Sequence, residues 1–311
     1  MTTVDQSNQP IVVGLGELLW DCFAGTRRPG GAPANVAFQA CQLGCRGTVC
    51  SRVGPDALGD ELLEFLAGQG LATAWIQRDA AHPTGTVTVD TSRADHPTYV
   101  IHENVAWDYL EADAGLKALM GQAAAVCFGT LAQRGPGSRQ AIQEALDATR
   151  PECLVVYDVN LRQHWYQRPW IEQSLAKSRI VKLNSDEARV LAQLLEAGPG
   201  EHLPFARAIQ QRFAVETVCI TRAEQGCLLV SGEEVIDSPG VPVKVVDTVG
   251  AGDAFTAALS VARLRAWPAQ VQAAFANQVG ALVAARPGAM PILRDEFAEL
   301  AKRLPVETGS T

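Results

Sequence analysis

The strongest constraint on the fold is a rhythm along the chain. Four apolar runs, "AAVCFG", "CLVVYDVN", "RIVKLN" and "TVCITR", are too short for ordinary helices, and a helical stretch follows each. Earlier, "IVVGLGELLW" reads as strand and turn, "APANVAFQACQLG" as helix and "GTVCSRVG" as strand. "DALGDELLEFLAGQG" is an amphipathic helix with Gly70 near its stop. Strands that alternate with helices in this way build a parallel sheet covered on both faces. The expected fold is therefore α/β. One region breaks the rhythm: "TGTVTVDTSRADHPTYVIHENVAW" has β-branched residues on both sides of a polar turn and reads as an antiparallel hairpin. Such an insertion is either a lid or a plain edge hairpin. A chain of 311 residues allows one large α/β domain or two smaller ones. "LLEAGPGEHLP" reads as a surface loop, not a domain linker.

Charge narrows the partners. The formal net charge of -8 disfavours a phosphate-backbone binder, so no nucleic acid is expected. No apolar run approaches the roughly 20 residues of a membrane span, so no membrane partner is expected either. The opening "MTTVDQSNQP" is polar, does not read as a signal peptide, and is expected to fray from Met1 to Gln9. Among eight cysteines, Cys41, Cys45 and Cys50 are close but form no C-x-x-C pair, and no His cluster lies near them. They read as buried thiols in a reducing cytosol, which places the chain in the cytoplasm.

Two glycine sites carry the chemistry. "DTVGAGDAF" follows the apolar run "VPVKVV", read as a strand, and precedes a helix starting near Ala254. Gly250 and Gly252 let backbone N–H groups crowd together. The helix aims its free N–H groups at the same spot, which makes a site for an anion such as a phosphate. No G-x-x-x-x-G-K-[ST] occurs, so no lysine is expected to neutralise phosphates there. Asp253 is either a helix cap or a base that takes a proton from a hydroxyl attacking phosphorus. As a residue at a helix N-terminus it should be held charged, hence a weak base. In "RRPGGAPANVAF", Gly30 and Gly31 precede a helix that Pro33 can open, and Asn35 faces back towards the glycines. Bare backbone plus a carboxamide suits a polyol, and Asp21 could bind paired hydroxyls; a simple turn is the other reading. In "YDVNLR", Asp158, Asn160 and Arg162 are two apart, so an extended chain points them the same way. Arg162 then grips a hydroxyl or phosphate, or makes a surface salt bridge.

At these residues the chain resembles the ribokinase/PfkB family of carbohydrate kinases over nearly its whole length. "PGGAPANVA" matches the family's N-terminal signature and "DTVGAGDAF" its C-terminal one. "GELLWD", "GGAPANVA" and "DVNLRQHWY" look most like fructokinases. The resemblance implies a ribokinase-like three-layer sandwich, a mainly parallel sheet and a small β lid over about 17–30 and 84–107, in a single domain spanning 1–311. It implies Asp253 as catalytic base, with Gly250, Ala251 and Gly252 as anion hole. Asp21, Gly30, Gly31, Asn35, Asn160 and Arg162 fall on the sugar side. "KLNSDEA" supplies Asn184 and Glu187, a pair that organises Mg2+, water and phosphate. Thr221, Gly226 and Asn277 fall beside the nucleotide, although Ala223 stands where the family has a glycine and Ala285 where a threonine is common. Asp247, Val249, Val283, Arg286 and Gly288 would line a monovalent cation, K+.

The function implied is transfer of the γ-phosphoryl of ATP to a sugar, D-fructose before 2-keto-3-deoxygluconate, ribose or a nucleoside, by a homodimer paired through its lid. Two other classes compete. A sugar or nucleotide sensor without turnover predicts decay of the base or anion hole, and neither has decayed. A dinucleotide-binding oxidoreductase is suggested by Gly14-Leu15-Gly16, but the third glycine of that fingerprint would fall on Leu19.

Overall fold

A computed structural model of the protein describes residues 9–90, 98–198 and 201–304. The expected tail before Gln9, the turn of the expected hairpin at 91–97 and part of the expected loop at 199–200 lie outside the described residues.

The chain begins with β1 (Ile11–Leu15), β2 (Leu19–Phe23), β3 (Thr26–Gly30), α1 (Ala32–Gln42), β4 (Arg46–Val53) and α2 (Ala57–Gly68). Three short strands follow: β5 (Ile76–Arg78), β6 (Gly85–Asp90) and β7 (Thr98–Ile101). The alternating stretch is α3 (Ala114–Met120), β8 (Ala125–Phe128), α4 (Pro136–Asp147), β9 (Leu154–Asp158), α5 (Arg168–Ala176), β10 (Ile180–Asn184) and α6 (Ser185–Leu194). Then come α7 (His202–Phe213), β11 (Thr217–Thr221), β12 (Cys227–Ser231), β13 (Glu234–Ser238), α8 (Ala251–Leu264), α9 (Ala269–Ala284) and α10 (Arg294–Arg303).

Nine strands form the central sheet, in the order β13-β12-β11-β10-β9-β8-β1-β4-β5. All pairs from β11 across to β5 are parallel. Successive residues of each strand face opposite cores, which is why the strands read as unbroken apolar runs. Val13, Val126, Val155 and Val181 pack on the face covered by α3 to α7. Val12, Cys127, Val156 and Ile180 pack on the face covered by α1, α8, α9 and α10. Strand order reverses around β1, with β4 on one side and β8 on the other. The loops after the carboxyl ends of such strands meet in a crevice.

The second sheet, β3-β2-β6-β7, has four strands. Strands β6 and β7 pair antiparallel, as the hairpin reading required, with Val87 opposite Ile101. Leu19, Val87, Val89 and Ile101 bury against the central core, whereas Tyr99 and Val100 are half exposed. Among the described residues, no helix is long and apolar enough to cross a membrane.

Two expectations fail. No α-helix follows β11: a single 3-10 turn at Ala223–Gln225 leads to Cys227 on β12, which pairs with Thr221, a connection too short for a crossover helix, so the sheet ends in an antiparallel meander. The run "VPVKVV" is not a strand, and residues 239–249 carry no regular structure. Val243, Val245 and Val246 are exposed there. Pro242 removes a ladder donor, and the run is apolar because it walls a cavity rather than because it joins a sheet.

Helix α9 clamps α8 against the sheet through Phe275, which is fully buried with Trp267 edge-on at 5.1 Å. Phe275→Ala is therefore expected to cost about 3–5 kcal/mol in urea unfolding. Val246→Ser, in the exposed run, should stay within about 0.5 kcal/mol of wild type in the same measurement.

Candidate active site

The two glycine sites, distant in sequence, meet. Gly250 has φ 77°, in the left-handed region, and a Cβ there would lie 2.6 Å from Ala289 Cα. Only glycine makes this turn without strain. Helix α8 starts immediately after it, and Ala254 donates the first intrahelical bond to Gly250 O at 2.8 Å. The amides of Gly252 and Asp253 precede that bond and lie at the positive end of the helix. Helix α1 approaches from the other side. Asn35, in its first turn, donates from Nδ2 to Asp253 Oδ2 at 2.7 Å. Asn35, expected on the sugar side, thus also orients the expected base, while its own Oδ1 is buried without a partner among the described residues.

Asp253 is not a weak base. Burial pushes its carboxyl up to about 6, and repulsion by Asp158 adds to this. The Asn35 hydrogen bond, Lys182 and Arg162 pull the other way. The helix-end argument left out burial and a second carboxylate, and these raise the carboxyl.

Beneath Asp253 lies a buried charge cluster. Lys182 Nζ is 3.1 Å from both oxygens of Asp158, and both side chains are buried. Thr256 donates to Asp158 Oδ2 at 2.7 Å from the second turn of α8. Burial works against the Lys182 charge, but attraction to Asp158, Glu187 and Asp253 prevails and raises its pKa. A Cβ on Gly252 would meet Lys182 Nζ at 3.2 Å, so a lysine does stand against the turn expected to hold an anion. The absence of a Walker motif did not exclude it. Its signal was a lone lysine inside the apolar strand "RIVKLN".

Asn184 and Glu187 form a capping box on α6. Asn184 Oδ1 accepts from the N–H of Asp186 and of Glu187 at 2.9 Å, and Glu187 Oε2 accepts from Asn184 N–H at 2.8 Å. Glu187 Oε1 takes Leu161 N–H at 2.9 Å and so ties the loop after β9 to α6. Glu187 is buried, not an exposed first-turn acid, and burial raises its pKa. That loop is not extended. Asn160 has φ 42°, so Asp158, Asn160 and Arg162 do not share one direction. Asp158 points into the charge cluster, while Arg162 is exposed and its charge reaches Asp21, Glu17 and Asp253. Burial raises the Asp21 carboxyl, and Arg162 and Arg28 oppose this. Asp21 lies against Gly30, where a Cβ would sit 2.6 Å from Oδ2.

A cavity of about 530 Å³ opens onto the turn. Thr221, Gly226, Asn277, Ala251 and Gly252 line it, with Val241, Val243 and Val245 as an apolar wall. Asn277 is buried rather than solvated. Its Nδ2 donates to Ser238 Oγ (3.0 Å), Ser238 O (3.3 Å) and Pro239 O (3.1 Å), which holds the start of that wall. Ala223, in place of a glycine, takes φ 49°, so the loop keeps a left-handed course.

Of the five positions expected around a monovalent cation, two accept hydrogen bonds within the chain, the Asp247 side chain and the Val283 carbonyl. Asp247 accepts from Val249 N–H (3.0 Å) and Gly288 N–H (3.1 Å), and Arg28 Nη1 from β3 reaches Oδ2 at 3.3 Å. The carbonyl of Val283 accepts from Arg286 N–H at 2.9 Å. Among the described residues, no group of three His, Cys, Asp or Glu is placed to hold a metal.

A doubly covered parallel sheet, a side sheet packed at its crevice, and an amide-lined turn beside a raised carboxyl define a sugar kinase class of protein. The model for pfkB family carbohydrate kinases matches residues 5–295, and the chain belongs to that family. It is 29% identical to an uncharacterized sugar kinase of Pyrococcus horikoshii, over 90% of this chain and 91% of that one. The solved structure of that protein in complex with ATP superposes with a TM-score of 0.78, covering 90% of this chain and 94% of that one at 28% identity. A fructokinase of Klebsiella pneumoniae is 30% identical over 85% of this chain and 88% of its own. The 2-dehydro-3-deoxygluconokinase of Thermotoga maritima shares the fold, with a TM-score of 0.81 at 21% identity, covering 94% of this chain and 99% of that one.

A raised carboxyl makes the sign of its linkage definite. The folded state gains from Asp253 being protonated below the unfolded value near 3.9, and loses that gain as pH rises through about 6. Asp253→Asn should therefore stabilise the protein at pH 8, by on the order of 1 kcal/mol after solvent screening, with the gain shrinking towards pH 5. Urea unfolding of both forms at the two pH values checks this.

Proposed function

We propose that the protein transfers the γ-phosphoryl of ATP to the primary hydroxyl of D-fructose, giving fructose 6-phosphate and ADP. The observation that carries the reading is Asp253, pushed up to about 6 at the start of α8 and held by Asn35 from the glycine turn of α1. In this reading the sugar lies along Asp21, Gly30, Gly31, Asn35 and Arg162, and the nucleotide fills the cavity at Thr221, Gly226 and Asn277. Asp253 accepts the proton of the attacking hydroxyl as its oxygen bonds to phosphorus and the bond to the ADP oxygen breaks. Amides at Gly250, Ala251 and Gly252, with Lys182 beside them, stabilise charge on the phosphoryl in flight. Magnesium would ride on the nucleotide phosphates, where it neutralises charge, with Glu187 reaching it through water. The small sheet acts as the lid of a single kinase domain and excludes water as it closes. Its half-exposed outer residues Tyr99 and Val100 suit pairing of two subunits. The eight cysteines are all free, which suits a reducing cytoplasm.

The name of the K. pneumoniae relative supports fructose. 2-Keto-3-deoxygluconate and ribose are the alternatives within the same chemistry. A coupled ADP-release assay across fructose, ribose, ketodeoxygluconate and adenosine decides. Fructose should give the largest kcat/KM. Turnover of another sugar alone removes the fructose reading, and no turnover of any restores a sensor. With the true acceptor, kcat/KM should fall as pH drops below about 6, because Asp253 is then protonated and cannot accept. Asp253→Asn should lose about 10²–10⁴-fold in kcat while sugar binding by calorimetry stays near wild type. Wild-type turnover in that variant would remove the base assignment.

A further inference from the structure

Glu17 has no role in the reaction described above, although it stands in its midst. It follows β1 and is 4% exposed. Its Oε2 is buried and has no hydrogen-bond partner among the described residues. Burial pushes the carboxyl up to about 7; its own N–H, Arg162 and the N–H of Ala32 lower it, and Asp253 raises it. Ala32 is the first residue of α1, so Glu17 sits at the start of the helix that presents Asn35. Gly31, at φ 117°, lets that start come close, since a Cβ there would lie 2.5 Å from Glu17 O. The charged groups that face Glu17 are Arg162, from the loop after β9, and Asp253, from α8.

Two buried acceptors near the base thus lack donors, Glu17 Oε2 and Asn35 Oδ1. An unpaired buried acceptor costs about 1–3 kcal/mol, and folded proteins retain few of them. A polyol supplies the missing donors, one from each hydroxyl. If Glu17 merely capped α1, one oxygen would suffice and the other would be free to turn to solvent.

We propose that Glu17 is a sugar-positioning residue: Oε2 accepts a hydrogen bond from an acceptor-sugar hydroxyl other than the one Asp253 deprotonates. This rests on the carbohydrate kinase reading. The sugar is then held at two points, and the reacting hydroxyl is aligned with the phosphoryl rather than merely brought near it.

The test is Glu17→Gln, which keeps the shape and one oxygen for the start of α1 but places an NH2 donor where an acceptor is needed. It is run with whichever sugar the wild type turns over. KM for the sugar should rise about tenfold or more, as loss of one such bond implies, while KM for ATP stays within about twofold. An unchanged sugar KM, or an equal rise in both KM values, overturns the proposal and leaves Glu17 a helix cap. Should the variant not fold, carbon-13 NMR of glutamate-labelled wild type decides. Saturating sugar should lower the pH at which the buried Glu17 carboxyl titrates, because accepting a hydrogen bond favours the ionised form. A signal unmoved by sugar overturns the proposal. Absence of turnover by the wild type sinks the kinase reading and this one with it, whereas an active wild type with an unaffected variant sinks this one alone.

Discussion

The Lys182–Asp158 pair is the interaction on which the site depends. One ammonium, buried between β9, β10 and α8, faces Asp158, Glu187 and Asp253. It cannot fully compensate three carboxylates. The deficit falls on the members least well supplied with donors. Glu187 accepts two backbone N–H groups and Asp158 holds both Lys182 and Thr256, whereas burial, with repulsion by Asp158, raises Asp253 further than its single amide partner, Lys182 and Arg162 can offset. The basicity of Asp253 is thus a property of its burial and of its neighbour Asp158, and not of the loop motif that contains it. A buried pair of this kind is weak evidence for stability, because desolvation offsets much of the attraction. Its value is in electrostatic arrangement.

The frame that brings these groups together was legible early. Short apolar runs with helices between them bury both faces as a parallel sheet, and the central sheet is parallel from β11 to β5. Both glycine signatures could be placed because the two, in that order, match the family's motifs; each alone could have been a simple turn. Nothing in either stretch says that Asn35 and Asp253 share a hydrogen bond across 218 positions. Only the return of α1 and α8 to the same face of the sheet brings that about.

What escaped the sequence has physical causes. The run "VPVKVV" has strand composition but no partner strand, and an apolar wall over a cavity demands the same residues. Asn160 breaks the two-residue alternation because its φ is positive, which no pattern of side chains announces. Glu17 and Lys182 were overlooked for one reason: a single charged residue next to apolar neighbours looks like an exception until its burial is known. The pKa of Asp253 was misjudged in direction because a helix terminus is visible in sequence, whereas desolvation and a carboxylate from another strand are not.

Arg28 and Asp247 join the small sheet to the turn before α8 by a contact that spans the two halves of the cleft. In the proposed reading, a sugar that shifts the sheet would perturb this bond and so alter affinity at the turn, and by reciprocity occupancy of the turn would alter affinity under the sheet by the same factor. Arg28 is largely exposed, and an exposed pair contributes at most about 1 kcal/mol. Heterotropic cooperativity transmitted by this link alone is accordingly bounded at about fivefold, so synergy beyond that must travel through the body of the fold.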